Sequence, residues 1–419
     1  MSSPLPDPCE DLRKTLSLDE AVARMRAAVR PVSGSETLAV RDSLGRVLDE
    51  DVTARVDVPA HTNSAMDGYA VAGGTLPAPG EDRRAYKVIG TAFAGHPFGR
   101  APGTDECVRI MTGAPLPPGA DTVVMQEHVE RDDDVAGIGP GHQAGQNVRR
   151  AGEDLAAGAV AVAAGTRIEP AHLGVIASVG VGQVVVRRRP RVAFFSTGDE
   201  LTAVGGPLGP GQIYDSNRYS LYGMLERAGV EPIDMGVVKD DRDVLEAAVR
   251  KAGQEADAIV TSGGVSVGEA DYVTEALRTH GQFDFWKVAM KPGKPIAFGQ
   301  IGDALFFGLP GNPVSVMVTF YQLVRPALLV LAGSPPEIPI RLMARCDSTL
   351  KKKPGRREFQ RGILTTGEDG TYVVTSTGRQ GSGLLSVMAA ANCFIVLPEE
   401  AGGVTPGSQV EVQPFCAFV

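Results

Sequence analysis

Between residues 191 and 331 short apolar runs alternate with helical ones, and this rhythm restricts the fold more than any other feature of the chain. Residues 191–195, 231–237, 258–260 and 304–307 read as strands. Residues 216–228, 241–252, 272–279 and the long segment after Pro313 read as helices. Strands alternating with helices at this spacing predict a doubly wound, mostly parallel sheet, because each crossover helix returns the chain to start the next strand in the same direction. The longest apolar run, 314–331, is interrupted by Tyr321, Gln322, Arg325 and Pro326, so it reads as a buried helix and not a membrane span.

The flanks have a different character. Ser17 and Glu20 form a capping-box signature ahead of Leu18, Val22, Met25 and Val29, predicting a first helix that ends near Arg30. Residues 32–59 alternate in short strand-like pieces. From about His61 to Arg150 Gly and Pro become frequent, and strand-like runs at 86–89, 107–111 and 122–127 predict a small β-rich domain. A strand at 160–162 and a Pro170-led helix at 171–180 restore mixed structure. Past Pro335-Pro336 no helix is expected, and 340–344, 359–364, 372–374, 393–397 and 409–412 predict a small all-β domain. At 419 residues the chain is too long for one ordinary core. The expectation is an α/β plus β multidomain protein. It comprises a discontinuous mixed N-terminal domain (10–60 plus 151–188), an inserted β-rich domain (61–150), an αβ domain (189–335) and a C-terminal β-barrel-like domain (336–419).

Composition narrows the class. A net charge of −9 argues against broad binding to nucleic acid or anionic membrane, and the short tracts Arg187–Arg189 and Lys351–Lys353 read as solvated edges or turns. Five scattered cysteines, odd in number and never in a C-x-x-C pair, fit a reducing compartment, and the N-terminus has no apolar signal core; a cytoplasmic protein is expected. The six histidines lack metal-ligand spacing, so a transition metal held by the protein is not expected.

Three glycine-rich turns follow predicted strands of the αβ segment: Ser196-Thr197-Gly198-Asp199-Glu200, the turn carrying Ser262, Gly263, Gly264 and Ser266 and ending at Asp271, and Pro310-Gly311-Asn312 before Pro313. One such turn is an ordinary βα connection. Three in one αβ unit should converge on a crevice at the carboxyl ends of the strands, where backbone N–H groups and a helix capped by Asn312 suit an anion. None is a Walker A loop or a dinucleotide fingerprint. If 287–291 is extended, Lys287 and Lys291 share one face beside Lys294, making a pocket for phosphate or another oxyanion. Glu200 and Asp271 end loops predicted to face this crevice, and Asp240 lies on the strand-to-helix turn Lys239-Asp240-Asp241. Carboxylates placed beside phosphate-binding backbone commonly hold Mg²⁺, with Glu200 and Asp271 as the metal candidates.

These residues, with Asn63-Ser64-Ala65-Met66-Asp67-Gly68-Tyr69-Ala70, Arg109-Ile110-Met111-Thr112-Gly113-Ala114, Gly152-Glu153-Asp154 and Lys291-Pro292-Gly293-Lys294-Pro295, resemble the molybdopterin molybdenumtransferases, the family of bacterial MoeA and the gephyrin E domain. The motifs run in family order from near residue 10 to the C-terminus. The resemblance implies a four-part elongated homodimer that takes adenylylated molybdopterin and molybdate, releases AMP with Mg²⁺, and yields the molybdenum cofactor. It carries function to Asp67, Thr112, Asp154, Glu200, Asp240, Asp271, Lys287 and Lys291, and ligand binding also to Arg361 and Ser382. In the family Asp67, Thr112 and Asp154 face the αβ domain of the other subunit. Thr62 stands where the family often has Asp before Asn63, a departure at a peripheral contact, while Asp67 is retained. A transient contact with the molybdopterin adenylyltransferase is a further expectation. Rival readings are that adenylyltransferase itself, a receptor-clustering scaffold, and a paralogue that is inactive or handles tungstate. The first would not require the flanking domains, and the second would favour a further αβ unit and a long linker.

Overall fold

The alternating segment forms a seven-stranded sheet in the order Glu231–Val238, Arg191–Thr197, Ala258–Ser262, Ala304–Leu309, Pro295–Ile301, Gly281–Val288, Thr15–Leu16. The first four strands are parallel, and Pro295–Ile301 runs antiparallel to both neighbours. These elements come from a computed structural model that describes residues 15–263, 281–335 and 337–415. The expected helix at 272–279 lies outside the described residues.

Strand side chains alternate between two cores. Val192, Phe194, Val260, Leu305 and Phe307 pack with the helices Leu18–Ala28, Ser216–Ala228 and Pro313–Thr319. Ala193, Phe195, Ile259, Ala304 and Phe306 pack against the helix Arg242–Glu255. Burial on both faces explains why these strands read as unbroken apolar runs. Phe194 and Phe195 are both fully buried, and each burial contributes about 1.5–3 kcal/mol.

The first helix begins as its capping box requires: Glu20 N–H donates to Ser17 Oγ (3.2 Å) and Ser17 N–H to Glu20 Oε2 (2.8 Å). Chain order grouped it with the N-terminal domain, yet its apolar stripe of Leu18, Ala21 and Met25 packs on the αβ sheet. The helix after Pro313 is not uniform. Phe320–Val324 is a π segment between Pro313–Thr319 and Arg325–Leu331, as expected where Pro326 has no N–H for the Gln322 carbonyl. By length and composition Pro313–Leu331 could cross a bilayer, but it is 72% buried inside the protein.

Before the αβ unit the chain runs out and back on itself. Ser35–Ala39 pairs with Gln183–Arg187, Val52–Thr53 with Val160–Val162, and Asn63–Ser64 with Val148–Arg149, all antiparallel. Leu48, Val52, Val162, Ile176 and Val186 form a core under the helix Pro170–Ser178. Beyond the last of these rungs lies a six-stranded sheet, Thr122–Met125, Gly68–Val71, Glu106–Ile110, Arg84–Ala92, Val135–Ile138, Val129–Asp132, with a small apolar cluster on each face.

At the other end five strands close into a barrel: Arg357–Thr366, Tyr372–Ser376, Leu342–Cys346, Gln409–Pro414 and Cys393–Leu397, which returns to the first. One short helix, Leu385–Ala389, stands where no helix was expected. In the basic tracts Arg189, Lys351 and Lys353 are exposed as expected, while the middle residue of each is held. Arg188 makes a bidentate pair with Asp257 (2.7 Å twice), and Lys352 Nζ donates to the Glu399 and Ala401 carbonyls. Cys107, Cys346 and Cys393 are buried free thiols, and burial pushes Cys107 and Cys393 up to about 12.

Candidate active site

The described parts of the glycine-rich turns meet at the carboxyl ends of the parallel strands, beside the switch point flanking Arg191–Thr197. They line a cavity of about 420 Å³ with the start of the Ser216–Ala228 helix. Gly198 sits at φ +148°, and a Cβ there would lie 2.6 Å from Glu200 Oε2, so glycine lets the Glu200 carboxylate fold back over the strand end. Gly263 sits at φ +94°, where a Cβ would meet the Thr197 carbonyl at 2.6 Å. Its N–H donates to the Leu309 carbonyl (3.1 Å), tying the second turn to the strand that feeds the third.

Two residues that the motifs did not single out hold this arrangement. Asp215, 1% exposed, caps the Ser216–Ala228 helix: its Oδ1 accepts from the Arg218 N–H (3.2 Å) and the Ser196 hydroxyl (3.0 Å). Ser196 therefore lies under the cavity with its hydroxyl engaged, and does not line it. Asn217 Nδ2 donates to Ser262 Oγ (2.8 Å) and to the Gly311 carbonyl (2.7 Å), bridging the second and third turns. The only signal in the sequence was Asp-Ser-Asn at a helix start, which is common to many helices. Asn312 occupies the N-cap position, but its side chain makes no capping hydrogen bond and lines the cavity instead. Thr197 Oγ1 and Asn217 Oδ1 are buried without partners among the described residues, and a bound polar ligand would satisfy such groups.

Charge in this cavity has one sign. Glu200, Asp215 and Asp240 line it, and among the described residues no lysine or arginine does. Burial, reinforced by the charges of Asp199 and Glu200, pushes the Asp240 carboxyl above its usual range. Among the described residues no three His, Cys, Asp or Glu side chains form a ready-made metal cluster. Glu200 and Asp240 fit a hard cation that takes its remaining oxygens from ligand and water, as Mg²⁺ does. Asp271, Gly264 and Ser266 lie outside the described residues.

The positive charge is next door. A second cavity of about 690 Å³ lies between the Lys291–Lys294 turn and the barrel, and shares Gly293 and Ser315 with the first. Lys291, Lys294, Lys351, Arg356 and Arg361 line it, against the one carboxylate of Glu358. Arg361 is 1% exposed and has no carboxylate partner among the described residues. Burial lowers its pKa; its Nη2 donates to the Gly381 carbonyl (3.0 Å), and its Nε has no partner. Ser382 lines the same cavity, and its carbonyl accepts from the Val314 N–H (2.9 Å), docking the barrel on the start of the long helix.

Lys287, Ala289 and Lys291 keep to one side of the chain, opposite Trp286, Val288 and Met290, which are buried together in one core. Lys287 lies in Gly281–Val288, opposite Pro295 and Thr15 in the αβ sheet, whereas Lys291 pairs with Glu358 on the barrel strand Arg357–Thr366. The chain changes sheets at Ala289 with this alternation preserved, and Lys287 lines neither cavity. Asp67, Thr112 and Asp154 also line neither. Asp67 is nevertheless fixed: its Oδ1 accepts from the Thr112 N–H and hydroxyl, each at 2.7 Å, and these bonds hold its carboxyl below the usual range. Asp154 has an exposed side chain, and its N–H donates to the Val58 carbonyl (3.0 Å).

A mostly parallel αβ unit with a switch-point cavity, set between a folded-back N-terminal half and a closed β-barrel, defines a multidomain α/β plus β protein with a ligand site in its central unit. Residues 16–180 match the MoeA N-terminal region (domain I and II), 193–330 the probable molybdopterin binding domain, and 343–415 the MoeA C-terminal region (domain IV). The molybdopterin molybdenumtransferase of Haemophilus influenzae is 43% identical over 96% of this chain and 98% of its own length. That of Bacillus subtilis is 36% identical over 96% and 94%. A solved MoeA protein of molybdopterin biosynthesis from Pyrococcus horikoshii superposes with a TM-score of 0.82 at 28% identity, covering 96% of this chain and all of that one. The chain belongs to the molybdopterin molybdenumtransferase family and is a transferase.

Proposed function

We propose that this enzyme transfers molybdenum from molybdate into adenylylated molybdopterin, releasing AMP and leaving the metal on the pterin's own sulfurs. The observation that carries this reading is an acidic cavity joined to a basic one through Gly293 and Ser315. A phosphoanhydride is repelled by Glu200 and Asp240 unless a cation accompanies it, which favours Mg²⁺ held by Glu200 with Asp240 or Asp271. Bound there, Mg²⁺ would neutralise charge as the phosphoanhydride breaks. The chain's own groups do the rest. Asn217 holds the two turns together, while Thr197 and Asn312 offer unengaged polar groups to the ligand.

The basic cavity suits the tetrahedral oxyanion. Arg361, buried without a counter-ion among the described residues, gains most from a dianion, and Lys291, Lys294 and Ser382 add donors around it. Donation of molybdenum to sulfur ligands of the substrate explains a metal-handling chain without a Cys or His cluster among its described residues. Asp67 and Thr112 form a hydrogen-bonded pair that lines neither cavity, and Asp154 lines neither as well; a second subunit placing them over the αβ cavity would give them a role. That arrangement is the homodimer we infer. The test incubates purified protein with adenylylated molybdopterin, Mg²⁺ and molybdate, and follows AMP release and metal bound to pterin. Formation of the adenylylated pterin from ATP instead would move the reading to the adenylyltransferase.

A further inference from the structure

Arg361, the buried cation of the basic cavity, stands where its strand runs out of partners on one side. Arg357–Thr366 pairs with Cys393–Leu397, placing Arg361 opposite Phe394. On its other edge the ladder with Tyr372–Ser376 ends at Gly362 opposite Ser376, one residue short of Arg361. The side chain of Gln380 fills the missing place. Its Oε1 accepts from the Arg361 N–H (2.8 Å) and its Nε2 donates to the Arg361 carbonyl (3.1 Å), so an amide side chain pairs both backbone groups as a neighbouring strand would. The Thr377 N–H and hydroxyl also reach that carbonyl, each at 3.1 Å, so loss of Gln380 would strand chiefly the Arg361 N–H. Gln380 lines the basic cavity, yet its Nε2 is committed further, to Ser376 Oγ (3.1 Å) and the Gly378 carbonyl (3.3 Å), and has little left to offer an anion directly.

The next two residues complete the hold. The Gly381 carbonyl accepts from Arg361 Nη2 (3.0 Å), and the Ser382 carbonyl accepts from the Val314 N–H (2.9 Å). Segment 380–382 therefore grips Arg361 at its backbone and at its guanidinium, and ties both to the start of the long helix. Arg361 is only 1% exposed, so a small displacement of its backbone decides whether the planar guanidinium meets a ligand in the cavity or stays behind the wall.

We propose that Gln380 is a positioning residue for the oxyanion: standing in for a strand beside Arg361, it sets where the guanidinium lies, and the affinity of the basic cavity follows from that placement. This rests on the oxyanion reading of the cavity given above and adds the residue through which Arg361 is aimed.

The experiment titrates the full-length protein calorimetrically with molybdate at neutral pH. Gln380→Met keeps the length of the side chain and removes its hydrogen bonds; molybdate binding is expected to weaken about tenfold, the size of one lost hydrogen bond to a charged group. Arg361→Lys supplies the reference background, because an ammonium on a flexible stem tolerates a displacement that a planar fork does not. It should bind molybdate more weakly than wild type, and adding Gln380→Met to it should change affinity by less than about twofold. Gln380→Asn, whose shorter amide cannot span both Arg361 groups, carries the same comparison if Gln380→Met fails to fold. Unchanged affinity in Gln380→Met would overturn the positioning role. So would an equal loss in the wild-type and Arg361→Lys backgrounds, because a general loosening of the barrel is felt by any cation there. Absence of molybdate binding by wild type would instead overturn the oxyanion reading and this inference with it.

Discussion

Asp240 illustrates how a residue can work against the stability of the fold that carries it. Burial and the charges of Asp199 and Glu200 raise its pKa, so the folded state holds its proton more tightly than the unfolded chain does. Stability is therefore favoured below the raised folded pKa and diminished once the group ionises. Asp240→Asn is expected to raise Tm at pH 7–8, with the gain fading in acid where the wild-type carboxyl is already neutral. It should also reduce the stabilisation that Mg²⁺ gives wild type. Scans with and without Mg²⁺ across this pH range check both, and a lower Tm for the variant at pH 8 would count against the repulsion argument. At this scale the sequence was informative about which residue types gather: Glu200, Asp240, Thr197, Gly263 and Asn312 all line one cavity. It did not reveal Asn217 or Asp215, because their roles depend on partners 45 residues away or on a burial that no local pattern encodes.

Among elements, the turns are set by backbone geometry. Gly263→Ala must accommodate both φ +94° and a Cβ 2.6 Å from the Thr197 carbonyl, which is expected to cost about 1–3 kcal/mol and to weaken ligand binding in the acidic cavity. Gly174→Ala, in the helix Pro170–Ser178 with open space around it, should instead stabilise by about 0.4–1 kcal/mol. Denaturant unfolding of both variants tests the contrast; equal effects would refute it. The clamp between the N-terminal half and the αβ sheet is a second case. Burial pushes Asp257 upward, but the Arg188 guanidinium and the Arg191 N–H outweigh it and lower its pKa. A depressed carboxyl contributes stability above its unfolded pKa and loses it as pH falls through the folded value. Asp257→Asn is expected to cost about 1–2 kcal/mol at pH 7 and nothing at strongly acid pH, measured by chemical denaturation.

On the scale of the molecule, the main question is why Asp67 and Thr112 are held so firmly while lining neither cavity. The out-and-back path of residues 35–187 carries them to the end of a β stem, where an identical chain could present them to its partner's αβ unit. Exposed Met66 and Phe93 in the inserted domain, and Tyr219 and Tyr222 on the αβ helix, provide apolar surface for such a contact. Mixed dimers of Asp67→Ala and Glu200→Ala chains should recover up to one working site of two, whereas each variant alone should be nearly inactive. Assay of the mixed population after subunit exchange decides it, and no recovery would argue for sites contained within one chain.

The amino-acid order determined the strands, their alternation with helices, the capping box at Ser17, and the glycine turns, because each is written in contacts a few residues long. Strand ends such as 357–366 ran beyond the apolar pattern, since backbone pairing continues where side chains become polar. Tertiary structure alone decided that Lys287 and Lys291 belong to different sheets, that the first helix packs on the αβ unit, and that acid and base occupy separate, adjoining cavities. Those outcomes depend on which surfaces meet after folding, and burial and charge pairing between distant segments leave no local period to read.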